Sequence, residues 1–451
     1  MRNSHNPGRP GSRRILLAAV VVAPLVFAAG WHAAPAWAQD APDTLQFRLP
    51  EDTPDTLQFE PVPPTDDWNG PELEVETRER SERSWLQDPF HHSLLSHNRH
   101  VIYNDHGFSD FDGVLEYNRV DEVRLGFTTQ AQGPWDYAPR FATEVSYTTG
   151  RKYWLYDVQL EQPLDRSNIF AIGAFMYRAT DHLDLNQVND FENSLALLFG
   201  KHDYRDYFER VGVDAYAAFR WPGVTTMSAH FRDDRYRTLP TIDVQSWVHN
   251  NRALRPNPAI DDGDIQAVAV RLERHASRTG GLYHWVEFET AGHGLGGDFE
   301  YQRGLADLRT VVRVSPGMRL TLRGVGGSAL NGDLPAQREF TVGGVDGLRA
   351  HSFAEFRGDQ VALGQAEYTI GFGEWRKGGI EVGGIHAMFF LDAGHAWTNP
   401  TNDWDPAHQK FAVDGGFGIG TDEDDLRIYF ARNLQSPDSD FVISARLQRP
   451  F

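Results

Sequence analysis

The chain has 451 residues, no Cys and a mean hydropathy of −0.49. The lack of Cys excludes thiolate metal sites and Cys nucleophiles, and it is typical of exported proteins. The formal net charge of −20 becomes −24 when the four arginines of an N-terminal leader are removed, so nucleic-acid binding is disfavoured. No apolar run of about 18 residues follows the leader, which excludes a helical membrane span there but not a barrel of alternating strands.

Residues 1–38 have the pattern of a signal peptide. Four arginines precede an apolar run at 15–29, and a small-x-small cleavage site follows at 36–38. A single-pass anchor is the alternative, but the apolar run is short and the cleavage site is good. Ser12-Arg13-Arg14 leaves a twin-arginine leader open as a second alternative.

Residues 39–112 are acidic and rich in Pro, and we predict a mostly disordered periplasmic segment. The hexapeptide P-D-T-L-Q-F occurs at 42–47 and at 54–59, which leaves a repeated partner-docking motif as an alternative to a plain tether. Alternating charges after a Pro favour a short helix over 71–87. No metal site is predicted for a histidine cluster in this segment, because no carboxylate or ligand spacing accompanies it. The cluster comprises His91, His92, His97 and His100.

From residue 113 to 451 the chain consists of alternating runs of about ten residues, separated by clusters of Gly, Pro, Asp and Asn. We predict sixteen strands, which gives each strand with its connection about 21 residues. The strands are predicted to begin near Leu115, Phe141, Trp154, Asn168, Glu192, Glu209, Thr225, Ile265, Gly281, Phe299, Met318, Gln360, Ile385, Lys410, Leu426 and Phe441.

Charged residues recur in mid-strand, on the face opposite the apolar one. Val213 and Ala215, for example, alternate with Asp214 and Tyr216. The packed core of a sandwich could not accept so many charges, but the polar interior of a membrane barrel can. Closure with an even number of strands also removes the edges that an open sheet would leave unpaired in lipid. The predicted fold is all-β: a 16-stranded antiparallel transmembrane β-barrel over 113–451.

The last strand supports the same fold. Phe441, Ile443 and Leu447 share one face, and the chain stops on an aromatic residue, Phe451. A final strand with one apolar face and a terminal Phe indicates the assembly signal of a bacterial outer-membrane barrel. The edge strand of a soluble sandwich is the alternative for this strand taken alone.

Two short motifs point to a family. A loop segment over 340–349 reads F-T-V-G-G-V-D-G-L-R, and the strand segment 390–394 reads F-L-D-A-G. With these motifs, residues 113–451 resemble the surface-antigen barrel of the BamA/TamA/two-partner-secretion superfamily, in which the loop is extracellular and folds back into the barrel. The matching residues are Gly343, Gly344, Leu348 and Arg349 in the loop, and Phe390, Asp392 and Gly394 on the strand.

This sequence departs from the family pattern in two places. Ala350 and His351 follow the arginine where the family has Gly and an aromatic residue, and Ala lacks the conformational freedom of Gly. The segment 39–112 also has the wrong composition for the periplasmic POTRA modules of the family.

The loop arginine has two candidate partners in the predicted barrel. Alternation along the strands places Asp392 and Glu367 on the inner face, within reach of Arg349 on an inward-folded loop. A guanidinium between two carboxylates forms a strong, oriented contact. We therefore expect Arg349 to pin the loop to the inner wall through Asp392, with Glu367 as its second partner.

The resemblance implies an outer-membrane barrel that assists insertion or translocation of proteins, with client proteins and a separate periplasmic subunit as expected partners. The alternative is a passive pore or structural barrel that has kept the fold alone. We predict no enzyme, cofactor or metal, because no G-x-S-x-G, P-loop or H-E-x-x-H pattern occurs and two acidic turns lack a complete calcium loop. Those turns are Asp261–Asp264 and Asp422–Asp425. The sequence does not name a client or a solute.

Overall fold

The computed structural model describes residues 110–447. Its gaps are 134–136, 184, 186–187, 189, 222–224, 249–250, 275–281, 316, 373–374, 378–379, 383, 403, 422–425 and 437. The predicted signal peptide, the segment up to residue 109 with its repeat, helix and histidines, the second acidic turn and Phe451 lie outside the described residues.

Sixteen strands form one antiparallel sheet in chain order, and two short hairpins lie outside it. The hairpins are β12–β13 and β15–β16. The strands are β1 Asp110–Asn118, β2 Glu122–Gln132, β3 Arg140–Thr148, β4 Trp154–Pro163, β5 Phe170–His182, β6 Tyr207–Trp221, β7 Thr225–Thr238, β8 Gly263–Arg274, β9 Leu282–Ala291, β10 Tyr301–Ser315, β11 Met318–Asn331, β12 Phe340–Val342, β13 Phe356–Gly358, β14 Gln360–Gly371, β15 Trp375–Lys377, β16 Ile380–Val382, β17 Ile385–Trp397, β18 Ala412–Thr421, β19 Arg427–Asn433 and β20 Val442–Arg446. An α-helix, α1, covers Asp190–Gly200.

The two faces of the sheet differ as the alternation predicts. On β6, Val213 is exposed whereas Asp214 and Tyr216 are buried, and the same alternation holds along β7. Because side chains point to opposite faces in turn, one face collects the apolar residues and the other the charges. Exposed apolar residues of the outer face include Leu160, Ile172, Met176, Phe231, Phe288, Phe389, Leu391, Phe417, Ile419 and Ile443.

The inner face is filled by buried ion pairs and aromatic rings. Arg271 on β8 contacts Glu287 on β9 at 2.7 Å, and Arg323 contacts Asp307 at 2.8 Å. Each of these four side chains is at most 3% exposed. Charges buried this deeply are tolerated because each has an opposite charge beside it.

The connections at the two ends of the barrel differ in length. In an antiparallel sheet the connections lie alternately at opposite ends. The three long ones (183–206, 239–262 and 332–359) follow β5, β7 and β11, so all three lie at one end. The described chain begins and ends at the opposite end.

The count of sixteen strands is confirmed, but one predicted strand is absent and another predicted strand is in fact two strands. The strand predicted near Glu192 is wrong, because that segment is helix α1. Its sequence D-F-E-N-S-L-A-L-L-F-G has no β-branched residue and places Asp190 and Glu192 in the first turn, where carboxylates favour a helix. The strand predicted to begin near Leu115 is in fact β1 and β2, which a turn at 119–121 separates.

No helix in the described part of the chain has the length and hydropathy needed to cross a membrane. Within the same residues, no backbone ladder joins β1 to β20. We call the boundary between these two strands the seam.

Candidate functional site

The connection from β11 to β14 folds into the barrel. It begins and ends in the small ladder of β12 and β13, in which Thr341 pairs with Arg357. A tight turn follows β12, where Gly343 and Gly344 have φ values of 129° and 88°. A side chain is strongly disfavoured at Gly343, because its Cβ would lie 2.4 Å from the carbonyl oxygen of Ser352.

Arg349 reaches two carboxylates on the inner wall. Its Nη1 lies 3.0 Å from Oε2 of Glu367 on β14, and its Nε lies 3.1 Å from Oδ2 of Asp392 on β17. The guanidinium also lies 3.9 Å from the ring centre of Phe390 and 4.7 Å from that of Tyr429. Arg349 is 1% exposed, so its charge is neutralised almost wholly by these neighbours.

The two carboxylates differ in their other partners. Glu367 also accepts hydrogen bonds from Arg427 at 3.2 Å and from the hydroxyl of Tyr429 at 3.0 Å. Asp392 accepts one further hydrogen bond, from Nε2 of Gln365 at 3.2 Å. Asp392 therefore depends more on the arginine than Glu367 does.

The residues after Arg349 contact the next strand of the wall. The backbone N–H of Ala350 donates to Oδ2 of Asp414 on β18 at 2.7 Å, and Nδ1 of His351 lies 3.1 Å from the same carboxylate. The two positions that depart from the family pattern thus take part in holding the loop to the wall.

The tip of the loop reaches the last strand. Arg446 on β20 donates from Nη1 to the carbonyl oxygen of Val345 and to Oδ1 of Asp346, at 2.9 Å in each case. From the other side, Arg323 on β11 donates to the carbonyl oxygen of Asp346 at 3.1 Å. The loop therefore spans the lumen between β11 and β20.

The remaining residues of the two motifs have packing positions. Leu348 is fully buried in the apolar cluster that lines the lumen. Phe390 packs with Met388 and Tyr429. Gly394 faces Leu363, and a Cβ there would lie 2.8 Å from Cδ1 of that leucine.

The residues of the last strand lie mainly on the outer surface. Phe441 is 53% exposed and Ile443 is 65% exposed, which suits contact with lipid. Leu447 is half-buried and donates its backbone N–H to Glu192 of helix α1 at 3.4 Å. The long-range partners in this region were not found from the sequence.

A Ser–His–Asp array lies elsewhere on the inner wall. Nε2 of His230 lies 2.9 Å from Oγ of Ser228, and its Nδ1 lies 3.0 Å from Oδ1 of Asp214. All three residues are at most 4% exposed, so the wall itself covers the serine. Among the described residues, no group of three His, Cys, Asp or Glu side chains is placed to hold a metal ion.

The barrel is similar to solved bacterial outer-membrane structures. BamA from Haemophilus ducreyi lacking POTRA domains 1–3 matches 75% of this chain and 70% of its own, with 8% sequence identity and a TM-score of 0.52. This chain has the BamA barrel fold. The apolar outer face of such a fold suits contact with a lipid bilayer.

Two further structures are matched less well. CdiB from Acinetobacter baumannii aligns with 14% identity and a TM-score of 0.41, over 75% of this chain and 59% of its own. CdiB from Escherichia coli aligns with 10% identity and a TM-score of 0.39, over 76% of this chain and 63% of its own. The chain thus spans less than two thirds of either CdiB. No protein-family model and no curated protein matches the chain.

Proposed function

We propose that this BamA-fold barrel assists the insertion or translocation of proteins at the outer membrane. The observation that carries the proposal is the inward loop, which Arg349 attaches to Glu367 and Asp392 and which reaches Arg446 on the last strand. Because the inward loop lies in the lumen and contacts the last strand, a displacement of the loop can change the position of the strand that borders the seam. An exposed strand edge is, in turn, a natural docking site for an incoming β-strand.

A client-folding assay tests this proposal. The purified chain in liposomes should accelerate folding of a urea-denatured outer-membrane barrel several-fold over empty liposomes, followed by heat-modifiable migration on gels. Arg349→Ala should lower the acceleration. Arg235→Ala is the matched control, because this arginine side chain is 56% exposed and its ion pair with Asp264, at 2.7 Å, does not involve the inward loop. If the wild-type chain gives no acceleration, the proposal fails.

A passive or structural barrel is the second candidate. It is favoured by the ion pairs that fill the lumen beside β7 to β9, where Arg338 from the long loop reaches Glu289 at 2.5 Å and both side chains are buried. Such a lumen conducts poorly. A barrel that neither speeds client folding nor passes appreciable current in planar bilayers would favour a structural role.

The proposal includes a separate periplasmic subunit docked on the repeat at 42–59. Binding of residues 39–112 to periplasmic proteins, compared with a variant in which the repeat apolar residues are replaced by Ala, tests this part. Loss of a specific partner in the variant is the expected result. The residues replaced are Leu45, Phe47, Leu57 and Phe59.

A further inference from the structure

Helix α1 contacts both strands that border the seam. It belongs to the long connection between β5 and β6, five strands away from β1 along the sheet. Three of its side chains, those of Glu192, Asn193 and Leu197, are buried. A helix on a surface loop would bury one face against that loop. Helix α1 instead packs against the first and last strands of the sheet.

On the side of the first strand, the helix receives a free backbone donor. The N–H of Tyr117 donates to Oγ of Ser194 at 2.8 Å rather than to a neighbouring strand. Just beyond β1, the N–H of Arg119 donates to Asp203, and Asn193 donates to the same carboxylate. One backbone donor near the end of β1 and one just beyond the strand are thus satisfied by the helix and the residues that follow it.

On the side of the last strand, Glu192 makes the corresponding contacts. Its Oε1 lies 2.5 Å from Nε of Arg446, and its Oε2 accepts the backbone N–H of Leu447 at 3.4 Å. The carboxylate therefore holds both a side chain and a backbone donor of the terminal segment. Arg446 is also bound by Asp346 at the tip of the inward loop, so two of the long connections meet on one guanidinium.

These contacts occupy the groups that strand pairing uses. An unpaired strand edge presents backbone N–H and C=O groups, and a second strand binds by pairing with them. Ser194 and Glu192 occupy one such N–H on each side of the seam. A strand cannot pair with Tyr117 and Leu447 while the helix side chains hold these donors.

We propose that helix α1 is a latch across the seam: it holds β1 and β20 through Ser194 and Glu192 and must withdraw before another β-strand can pair with either edge. The latch rests on contacts within this chain. Its role toward a client rests on the proposed function, with an extended, amphipathic strand as the competing ligand.

The first experiment measures withdrawal of the helix directly. The chain has no Cys, so Leu197→Cys, at a position that is fully buried, gives a single thiol that a membrane-impermeant maleimide can reach only when the helix leaves. Adding Ser194→Ala and Glu192→Ala should raise the labelling rate of the folded barrel about tenfold or more. Phe199→Ala, at an exposed position of the same helix, should leave the rate unchanged.

The second experiment fixes the latch. Ser194→Cys with Tyr117→Cys, joined by a short reducible thiol cross-linker, should abolish client folding until a reductant is added. Phe170→Cys with Phe219→Cys, joined in the same way across the already paired strands β5 and β6, is the control and should not affect it.

The two experiments separate the latch from the proposed function. Equal labelling of Leu197→Cys with and without the Ser194 and Glu192 substitutions would overturn the latch, whatever the client assay gives. A cross-linked barrel that still folds clients at the wild-type rate would overturn its role in client access. Faster labelling in a chain that never accelerates client folding would support the latch and remove the proposed function. Heat-modifiable migration establishes that each variant is folded.

Discussion

Arg349→Ala is expected to destabilise the barrel through the carboxylate that has fewer other partners. The substitution removes contacts at 3.1 Å to Asp392 and at 3.0 Å to Glu367. Glu367 keeps Arg427 and Tyr429, whereas Asp392 keeps only Gln365 among its hydrogen-bond donors described above. Breaking a buried ion pair from one side costs about 3–5 kcal/mol. We expect about 3 kcal/mol, because one of the two carboxylates remains paired.

A double-mutant cycle isolates the pairwise energy. Arg349→Ala with Asp392→Asn removes both charges, so its loss of unfolding free energy should be about 2 kcal/mol smaller than the sum of the single losses. Urea unfolding of the reconstituted barrel, followed by its Trp fluorescence, gives the three values. Arg235→Ala, at an exposed ion pair, should change stability by less than about 0.5 kcal/mol.

If the single substitutions of Arg349 and Asp392 add to the double one within about 0.5 kcal/mol, the two residues do not stabilise each other. The loop would then be held by its backbone and apolar contacts alone.

Three further predictions concern the loop, the helix and the wall. Gly344→Ala should cost about 1–2 kcal/mol in urea unfolding, because φ is 88° there and a Cβ would lie 3.1 Å from Cα of Phe353; an unchanged midpoint would refute this. Burial, offset in part by Arg446 and reinforced by Asp346, raises the pKa of Glu192 from 4.5 to about 7. The docked helix therefore binds a proton that the withdrawn helix loses, so the labelling rate of Leu197→Cys, divided at each pH by the labelling rate of a small free thiol, should rise as pH rises from 4.5 to 7, and Glu192→Gln should remove the pH dependence of this ratio. Ser228 should not react with a fluorophosphonate probe, since the wall covers it; labelling that Ser228→Ala abolishes would reveal a catalytic serine.

The strands and their faces could be predicted because side chains alternate with a period of two, and this period is visible within a few residues of sequence. Val213 on β6 is exposed as predicted, while Asp214 and Tyr216 are buried. The same local pattern gave a wrong prediction at Glu192, because E-N-S-L-A-L fits both the period of two of a strand and the period of 3.6 of a helix. The lack of β-branched residues and the acidic first turn favour the helix locally, and its contacts with Tyr117 and Arg446, which lie far away in the sequence, add to that preference.

The placement of Arg349 near Glu367 and Asp392 could be predicted, because alternation puts both carboxylates on the inner face and the family resemblance implies an inward-folded loop. The other charged residues that contact the loop could not be predicted. Asp414, Arg446 and Asp346 have no local signal that pairs them with the loop, since a charge on an inner face can meet any opposite charge across the lumen. Their pairing follows from the curvature of the sheet and the depth that the loop reaches.

The shared guanidinium of Arg446 has a consequence for the order of assembly. Its two carboxylate partners, Glu192 and Asp346, lie about 250 and 100 residues earlier in the chain. Neither luminal element therefore has all of its partners until β20 is in place. Pairing of β20 and anchoring of the interior become a single step, so a barrel in which β20 has not paired should have its helix and its inward loop loosened together.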